Sequence, residues 1–537
     1  MRLKPRNLRM RPEKWHPPIE LSASEQSIVK RIKRAKLFTF LRQYRHELFD
    51  EEFQVELSKL YADSAKGHPP VSPAQLALTT ILQAYTGASD AEAIEALVMD
   101  RRWQLVLDCM DCEKAPFSQA TLVRFRSALI IQGLDRRLIE RTVELAQQSQ
   151  GFGSKQLRAA LDSSPLWGAS KVEDTYNLLG HALKKAIGVI AGQQGRGLAE
   201  VAQDIKVDIV TGSSLKAALD LNWDDPDQKN LALGIVVDAL EQFETFVQAQ
   251  PKNTEHPQVR SALETARLIE SQDVEVDTNG EVKLRTGVAK ERRISIEDEE
   301  MRHGRKSKSQ RFDGYKRHVL RDLDNGLVRA VGVTRANIPE ASVTDAIAID
   351  LKCQQVNLVE LHIDRAYLSS SLVQNRSDEL TVYCKAWQVR QGKGIQFTKT
   401  AFILDWENET ICCPNQIILP FKVGGKVQFP KHICATCPLK ERCTTSKTGR
   451  SVSIHPDEPL FRELQQRQLT LAGRAKLRER VAVEHSLSHI GRWQGDQARY
   501  VGSRKNLFDL RRTAVVHNLH VLAKIFTHTT EHSATSS

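Results

Sequence analysis

Three carboxylates lie far apart in a chain of 537 residues, each in a setting that suits chemistry at phosphorus. Asp162 follows Leu157-Arg-Ala-Ala-Leu161, and Asp364 follows Leu358-Val-Glu-Leu-His-Ile363. Each run predicts a strand, with the Asp directly after its last apolar residue. A single Asp in that place ordinarily starts a turn, but two of them on adjacent strands would bring a pair of acids to one edge of a sheet. Glu484 is the third partner. In the stretch from Lys476 to Trp493, helical spacing puts Arg480 one turn before it, while Val483, Leu487 and Ile490 form the apolar stripe. Arg before Glu is the weaker order for such a pair, worth only about 0.2–0.5 kcal/mol. A carboxylate near the buried side with basic residues around it instead suits a metal site facing a polyanion. Two strands and a helix could thus hold two Mg²⁺ (or Mn²⁺) ions about 3.5–4 Å apart, one to activate a water or 3′-hydroxyl and one to stabilise the leaving oxygen. Hard oxygen ligands are what Mg²⁺ requires.

A second cluster has different chemistry. Cys412-Cys413-Pro414 is followed by Cys434-Ala-Thr-Cys437 and by Cys443. A Cys-x2-Cys pair with two further thiolates can close a tetrahedral structural Zn²⁺ site. Cys413, Cys434, Cys437 and Cys443 are the preferred ligands, with Cys412 open as an alternative to Cys413. Cys109 and Cys112 have the same spacing but no second pair nearby, so they read as ordinary reduced thiols.

The charge points to a polyanion. Lys and Arg number 77 against 66 Asp and Glu, a net +11. Residues 1–45 hold 13 Lys/Arg and 3 Glu, residues 302–318 hold 7 Lys/Arg and one Asp, and residues 473–521 hold 10 Lys/Arg and 4 acids. A solvated face explains one such run; three of them suit a nucleic acid met by several parts of the chain. The first reads as an arm that holds DNA. Arg302, Arg305, Lys306, Lys308 and Lys316, with Arg480, Arg492, Arg499, Arg504 and Lys505, are the candidate phosphate contacts, which position a duplex without reading its sequence. Trp493 and Tyr500 could stack on a displaced base, though a core role suits either better. No signal peptide or membrane span is read from the sequence, so a cytoplasmic protein is expected.

These residues need elements to place them. Basic arm and helices are expected over 1–60. Capped helices follow over 61–150, with Ser72-Pro73, the capping box Ser89–Glu92 and Ser118 as starts; this segment suits DNA binding or dimerisation. After the break Gln150-Gly-Phe-Gly-Ser154, the order strand, helices, hairpin, helix, strand predicts an α/β fold with a mixed sheet, interrupted by a helical insertion over 171–300. The hairpin pairs Tyr315–Leu320 with Val328–Val333 across Asp324-Asn325-Gly326. A catalytic core is assembled from 155–170, 301–370 and 473–525, the cysteine cluster lies in an insertion over 371–472, and the tail over 527–537 is expected to be disordered.

The chain resembles the DDE transposases of bacterial insertion sequences. The resemblance rests on Leu161-Asp162-Ser-Ser-Pro-Leu-Trp-Gly-Ala169 with Val172-Glu-Asp-Thr-Tyr176, on His303-Gly-Arg-Lys-Ser307 with Phe312-Asp-Gly-Tyr-Lys316, on His362-Ile-Asp-Arg-Ala-Tyr367, and on Arg480-Val-Ala-Val-Glu484-His-Ser-Leu with Arg499-Tyr and Gly502-Ser-Arg-Lys-Asn506. It implies a ribonuclease-H-like core behind an all-α N-terminal domain, with Asp162, Asp364 and Glu484 in the DDE roles. It also implies metal-dependent cleavage at terminal inverted repeats, joining to target DNA, and a homodimer that holds two ends. Of the Tyr, Arg, Glu, Lys signature that many such enzymes carry, Arg480 and Glu484 match; Leu477 stands at the Tyr position and Gly491 at the Lys position, beside Arg492. Two other readings share the fold: a DNA-binding relic or repressor without chemistry, and a nuclease without strand transfer.

Overall fold

Leu157, Ala159 and Leu161 face one way and Arg158, Ala160 and Asp162 the other, and this alternation builds the central strand of a six-stranded sheet. In the computed structural model, residues 12–61, 70–150, 155–219, 221–250, 256–307, 309–386 and 396–535 are described. Lys308, residues 1–11 of the basic arm and the break at 151–154 lie outside the described residues. The strands are β1 (Gln156–Trp167), β2 (Arg302–Arg305), β3 (Arg311–Asp322), β4 (Val328–Arg335), β5 (Asn357–Ile363) and β6 (Thr381–Cys384). The order β4-β3-β1-β5-β6 is antiparallel on one side of β1 and parallel on the other, and β2 pairs with the first residues of β3. This is the expected α/β class with a mixed sheet, consistent with a ribonuclease-H-like domain.

One strand end differs from expectation. β1 does not stop before Asp162 but continues to Trp167, because β3 keeps pairing with it from Asp162↔Val319 to Trp167↔Gly314. On its other side β5 has already ended, at Leu161↔Ile363, so the half of β1 that carries Pro165 is an edge there and tolerates a residue without an N–H. The hairpin between β3 and β4 is as expected: Asp322 accepts from Asp324 N at 2.9 Å, and Gly326 takes the left-handed φ of +81° that closes the turn.

Helices cover both faces. In the N-terminal part the main ones are α1 (Lys36–Leu48), α2 (Pro73–Thr86) and α3 (Arg137–Gln150). Ser89 and Glu92 form the capping box, and Ser118 caps by accepting from Thr121 N. A 3-10 turn at Glu340–Val343 precedes α4 (Thr344–Cys353). The helix expected over 476–493 is two, α5 (Leu471–Glu479) and α6 (Val481–Gln494), which meet at Arg480. The last helix, α7 (Ser503–Thr535), takes in most of the stretch from 527 that composition read as disordered; residues 536 and 537 lie outside the described residues.

One sheet face packs Leu161, Leu320 and Ile363 against Ile347 and Leu351 of α4 and against Leu460 and Leu464 of the helix Glu458–Leu469. On the other face Ala160, Val319 and Val331 meet Val483, Leu487 and Ile490 of α6 and Val515 and Leu519 of α7. That second core runs without interruption into Phe38 and Leu41 of α1, Ile81 and Leu82 of α2 and Leu138 of α3. The N-terminal helices therefore share a core with the sheet. The helices Thr175–Gln194, Pro226–Gln248 and Pro257–Asp273 of the insertion have a core of their own, and so does the cysteine-bearing segment. No helix among the described residues is long and apolar enough to cross a membrane.

Several arginines of the basic stretches are consumed inside the fold. Arg45 is buried and donates to the carbonyls of Leu105 and Val106, and Arg42 pairs with buried Glu25, so the described part of the basic arm is partly core. Arg302 is buried against the carbonyls of Glu299 and Met301. Arg504 reaches buried Asp135 at 2.6 and 2.8 Å, and Arg511 reaches it at 3.1 Å. These ties replace the open phosphate contacts expected of Arg302 and Arg504.

Two predictions follow from this packing. Asp135→Ala removes the buried anion that Arg504 and Arg511 share, leaving Arg511 only Asp350 at 3.6 Å, and should lower stability by about 1–3 kcal/mol in urea unfolding. His318 is fully buried, linked to Tyr367 Oη at 2.8 Å and Thr334 Oγ1 at 2.9 Å, and burial, with Lys316 nearby, pushes it down to about 3. The unfolded chain takes up that proton near pH 6.5, so stability present above pH 6.5 is lost as pH falls toward 3, by up to about 1.4 kcal/mol per pH unit. His517 and His520, held at about 4 by burial, act in the same direction. A melting-temperature series from pH 7 to 4.5 should fall, and His318→Gln should flatten it.

Candidate active site

The register of the sheet brings the first two acids together. Leu161 pairs with Ile363 in parallel, so Asp162 and Asp364 are the next residues on neighbouring strands. Asp364 ends β5 as expected, and its carboxylate accepts from Ala366 N at 2.7 Å, which fixes it at the mouth of the sheet. Asp162 projects toward the face that α6 covers and accepts from Ser163 N at 2.8 Å. From α6, Glu484 enters the same cleft, a cavity of about 720 Å³ lined by all three acids together with Arg305, Lys306, Lys316, Arg317, Arg480 and Arg492.

Arg480 binds two of the three acids. Its guanidinium donates to Asp162 and, through Nη2, to Glu484 Oε1 at 2.7 Å. Burial pushes the Asp162 carboxyl upward; Arg480 and the Ser163 N–H oppose this, and the charges of Asp364 and Glu484 add to the rise. Like charges gathered in one cleft need a cation. The donor set, three carboxylates with hard oxygens on a half-open surface, fits divalent metal of the Mg²⁺ class.

The expected phosphate contacts separate into groups. Arg305, Lys306, Lys316 and Arg492 line the cleft; Lys316 also donates to Ile338 O at 3.0 Å. Lys505 is exposed on the first turn of α7, and Arg499 is exposed but donates to the carbonyl of Gly87. Lys308 lies outside the described residues. Trp493 stacks on His520 and meets Tyr85 at a tilt beside the shared core, and Tyr500 lies beneath Arg126, so both serve packing.

Arg317 and the serines after Asp162 did not stand out as site residues in the sequence. Arg317 is buried at the cleft wall and donates to Ser164 Oγ at 2.7 Å, Gln494 Oε1 at 3.1 Å and the Gly495 carbonyl at 2.8 Å, tying β1 to the end of α6. A Cβ on Gly491 would lie 3.3 Å from the Arg317 guanidinium. The alternation of β3, which turns Arg317 inward with Tyr315 and Val319, was the available signal.

Next to the cleft, Glu360, His362 and Glu479 are the one group among the described residues whose ligand atoms lie within 4.8 Å of one another. Arg158 and Lys476 already occupy their oxygens, at 2.9 Å each from Glu360 Oε1. Burial pushes Glu360 up, but hydrogen bonds from Arg158, His362 and Lys476 outweigh it and hold it at about 2. The cluster is an ion-pair brace between β1, β5 and α5.

The cysteine cluster is brought together away from the carboxylates. Cys413, Cys434, Cys437 and Cys443 line one small cavity. Cys412 does not: its Sγ contacts the Cys413 carbonyl at 3.5 Å and Gln416 Oε1 at 3.8 Å. Cys109 is buried, with Sγ 3.8 Å from the Leu97 carbonyl, as an ordinary thiol would be.

Two family models match the chain. A transposase DDE domain covers residues 413–523, a span that includes Glu484 and the four cysteines, and a transposase domain (DUF772) covers residues 27–128 of the N-terminal helices. Neither the curated proteins nor the solved structures gave a match. Transposase segments are thus matched both in the N-terminal helices and across the helix that carries Glu484, and together the two matches indicate a DDE-type transposase of insertion sequences.

Proposed function

We propose that the chain binds the ends of its own mobile element as a dimer, cuts them by metal-dependent phosphodiester hydrolysis, and joins the released 3′-hydroxyls to target DNA. The observation that carries this reading is the convergence of Asp162, Asp364 and Glu484 on one cleft walled by Arg305, Lys306, Lys316 and Arg492. The three carboxylates would hold two Mg²⁺ or Mn²⁺ ions, which supply a more acidic attacking water or hydroxyl and a stabilised leaving oxygen. The rest falls to the chain's own side chains. Asp364 is held in place by the Ala366 N–H, and Asp162 by the Ser163 N–H. Arg480 keeps Asp162 and Glu484 within reach of each other and, once metal takes over their charge, is free to meet a phosphate. The cleft cations fix the DNA backbone in register, through contacts that carry position and little sequence information.

The test uses the full chain, Mg²⁺ and duplex carrying the inverted repeats expected to flank its gene. Nicked and joined products are expected, and Asp162→Ala, Asp364→Ala or Glu484→Ala should each slow them about a thousandfold or more, the equivalent of several kcal/mol of lost metal stabilisation. Full activity in any of the three would remove that residue from the site. Nicks without joining would indicate a nuclease, and tight end binding without cleavage a relic. Arg305→Ala and Arg492→Ala should weaken binding about equally on all sequences and reduce the salt slope of log K by about one each.

A further inference from the structure

We propose that Cys413, Cys434, Cys437 and Cys443 bind one Zn²⁺ as a four-thiolate site that holds the segment 396–454 in its fold, separately from the carboxylate cleft. All four line a cavity of about 20 Å³ closed by Phe397, Phe402 and Phe429. That space admits a bare ion or about one water; no three of the sulfurs lie within 4.8 Å of one another, so binding the ion would draw them inward. Each sulfur is presented by a turn or by the end of a short helix. Cys413 opens a turn closed by Gln416 N to Cys413 O at 2.8 Å, with Gln416 at a left-handed φ of +62°. Cys434 and Cys437 flank the end of the helix Lys431–Ala435, and Cys443 ends the helix Lys440–Cys443, where Arg450 donates to its carbonyl at 3.0 Å.

The backbone accommodates these sulfurs closely. At Gly449, φ is +95°, and a Cβ would lie 2.4 Å from the Phe429 carbonyl and 3.4 Å from Cys434 Sγ. Only glycine lets the chain pass there. The alternative left open by the sequence is closed by strand alternation: Cys412 ends the strand Thr410–Cys412 with its sulfur turned to Gln416, away from the cavity.

The segment also lacks the means to hold itself. Its strands are three residues long, in a three-stranded and a two-stranded sheet, and its buried apolar core is eight side chains. Sheets this short need a staple, which in small units is a disulfide or a metal. All four cysteines are free thiols. Thiolates select Zn²⁺ over the oxygen-seeking Mg²⁺ of the other site, and each thiol gives up its proton to solvent as the metal binds.

The full chain, purified under reducing conditions without chelator, should carry about one zinc per chain by elemental analysis. Co²⁺ in its place should give the sulfur-to-metal charge-transfer and tetrahedral d–d bands of a four-sulfur site. Cys437→Ser should weaken zinc retention by more than about 100-fold, above what loss of an outer partner costs. Cys412→Ser and Glu484→Ala should keep the metal. Where Cys437→Ser precipitates, titrating the unaltered chain with an organomercurial should release zinc in step with four thiols. A chain without zinc, zinc that survives Cys437→Ser, or zinc lost with Cys412→Ser or Glu484→Ala would each overturn the proposal. Because metal content is read apart from DNA cleavage, failure here leaves the transposition reading intact, and the reverse also holds.

Discussion

Mutual repulsion of carboxylates is the constraint around which the fold is arranged. Asp162, Asp364 and Glu484 share one cleft, and burial and the other two charges both push the Asp162 carboxyl upward. Two features oppose that. The parallel pairing of β1 with β5 leaves the two aspartates no freedom to separate, since their backbones are fixed by the register at Leu161 and Ile363. Arg480, at the joint between α5 and α6, lends a guanidinium to Asp162 and Glu484. The sheet and one arginine thus offset the cost of gathering these charges in one cleft.

The same logic governs the arginines elsewhere. A net charge of +11 suggests a broadly basic exterior, yet Arg45, Arg317, Arg329 and Arg512 are buried and spend their donors on carbonyls and acids of the interior. A guanidinium suits this task, having five donors in a rigid fork and weak hydration. Arg305, Lys306, Lys316 and Arg492 line the cleft instead. Position, more than the sum of charge, separates the two uses.

Much of this was legible in the sequence because it rests on local patterns. The alternation at 157–161 and 358–363, the Asn325-Gly326 hairpin and the Ser89–Glu92 capping box each depend on neighbours a few residues away. Arg480 and Glu484, at helical spacing, were also readable as a pair. The sequence could not reveal which cations are consumed internally, since Arg504 looks like any surface arginine until Asp135 is brought to it from 369 positions away. Nor could it reveal that β1 passes through Asp162: the Ser-Ser-Pro that follows reads as a turn, and only pairing with β3 makes it strand. The sequence preferred Cys413 and left Cys412 open; that the strand Thr410–Cys412 turns the Cys412 sulfur toward Gln416 was not readable there.

The core shared by the N-terminal helices, the sheet and α7 bears on how the molecule comes to exist. Asn518 of α7 donates to Thr142 of α3 across 376 positions and also brackets Val328 of β4 with two hydrogen bonds. Contacts so distant in sequence form late, because the loop they close is long and its entropy must be overcome before packing rewards it. While the ribosome is still making the middle of the chain, α1, α2 and α3 have an apolar surface with nothing to cover it. A nascent chain in that state is exposed to chaperones and proteases, and a chain cut short before α7 would keep the strands of the sheet but leave the core it shares with the N-terminal helices open.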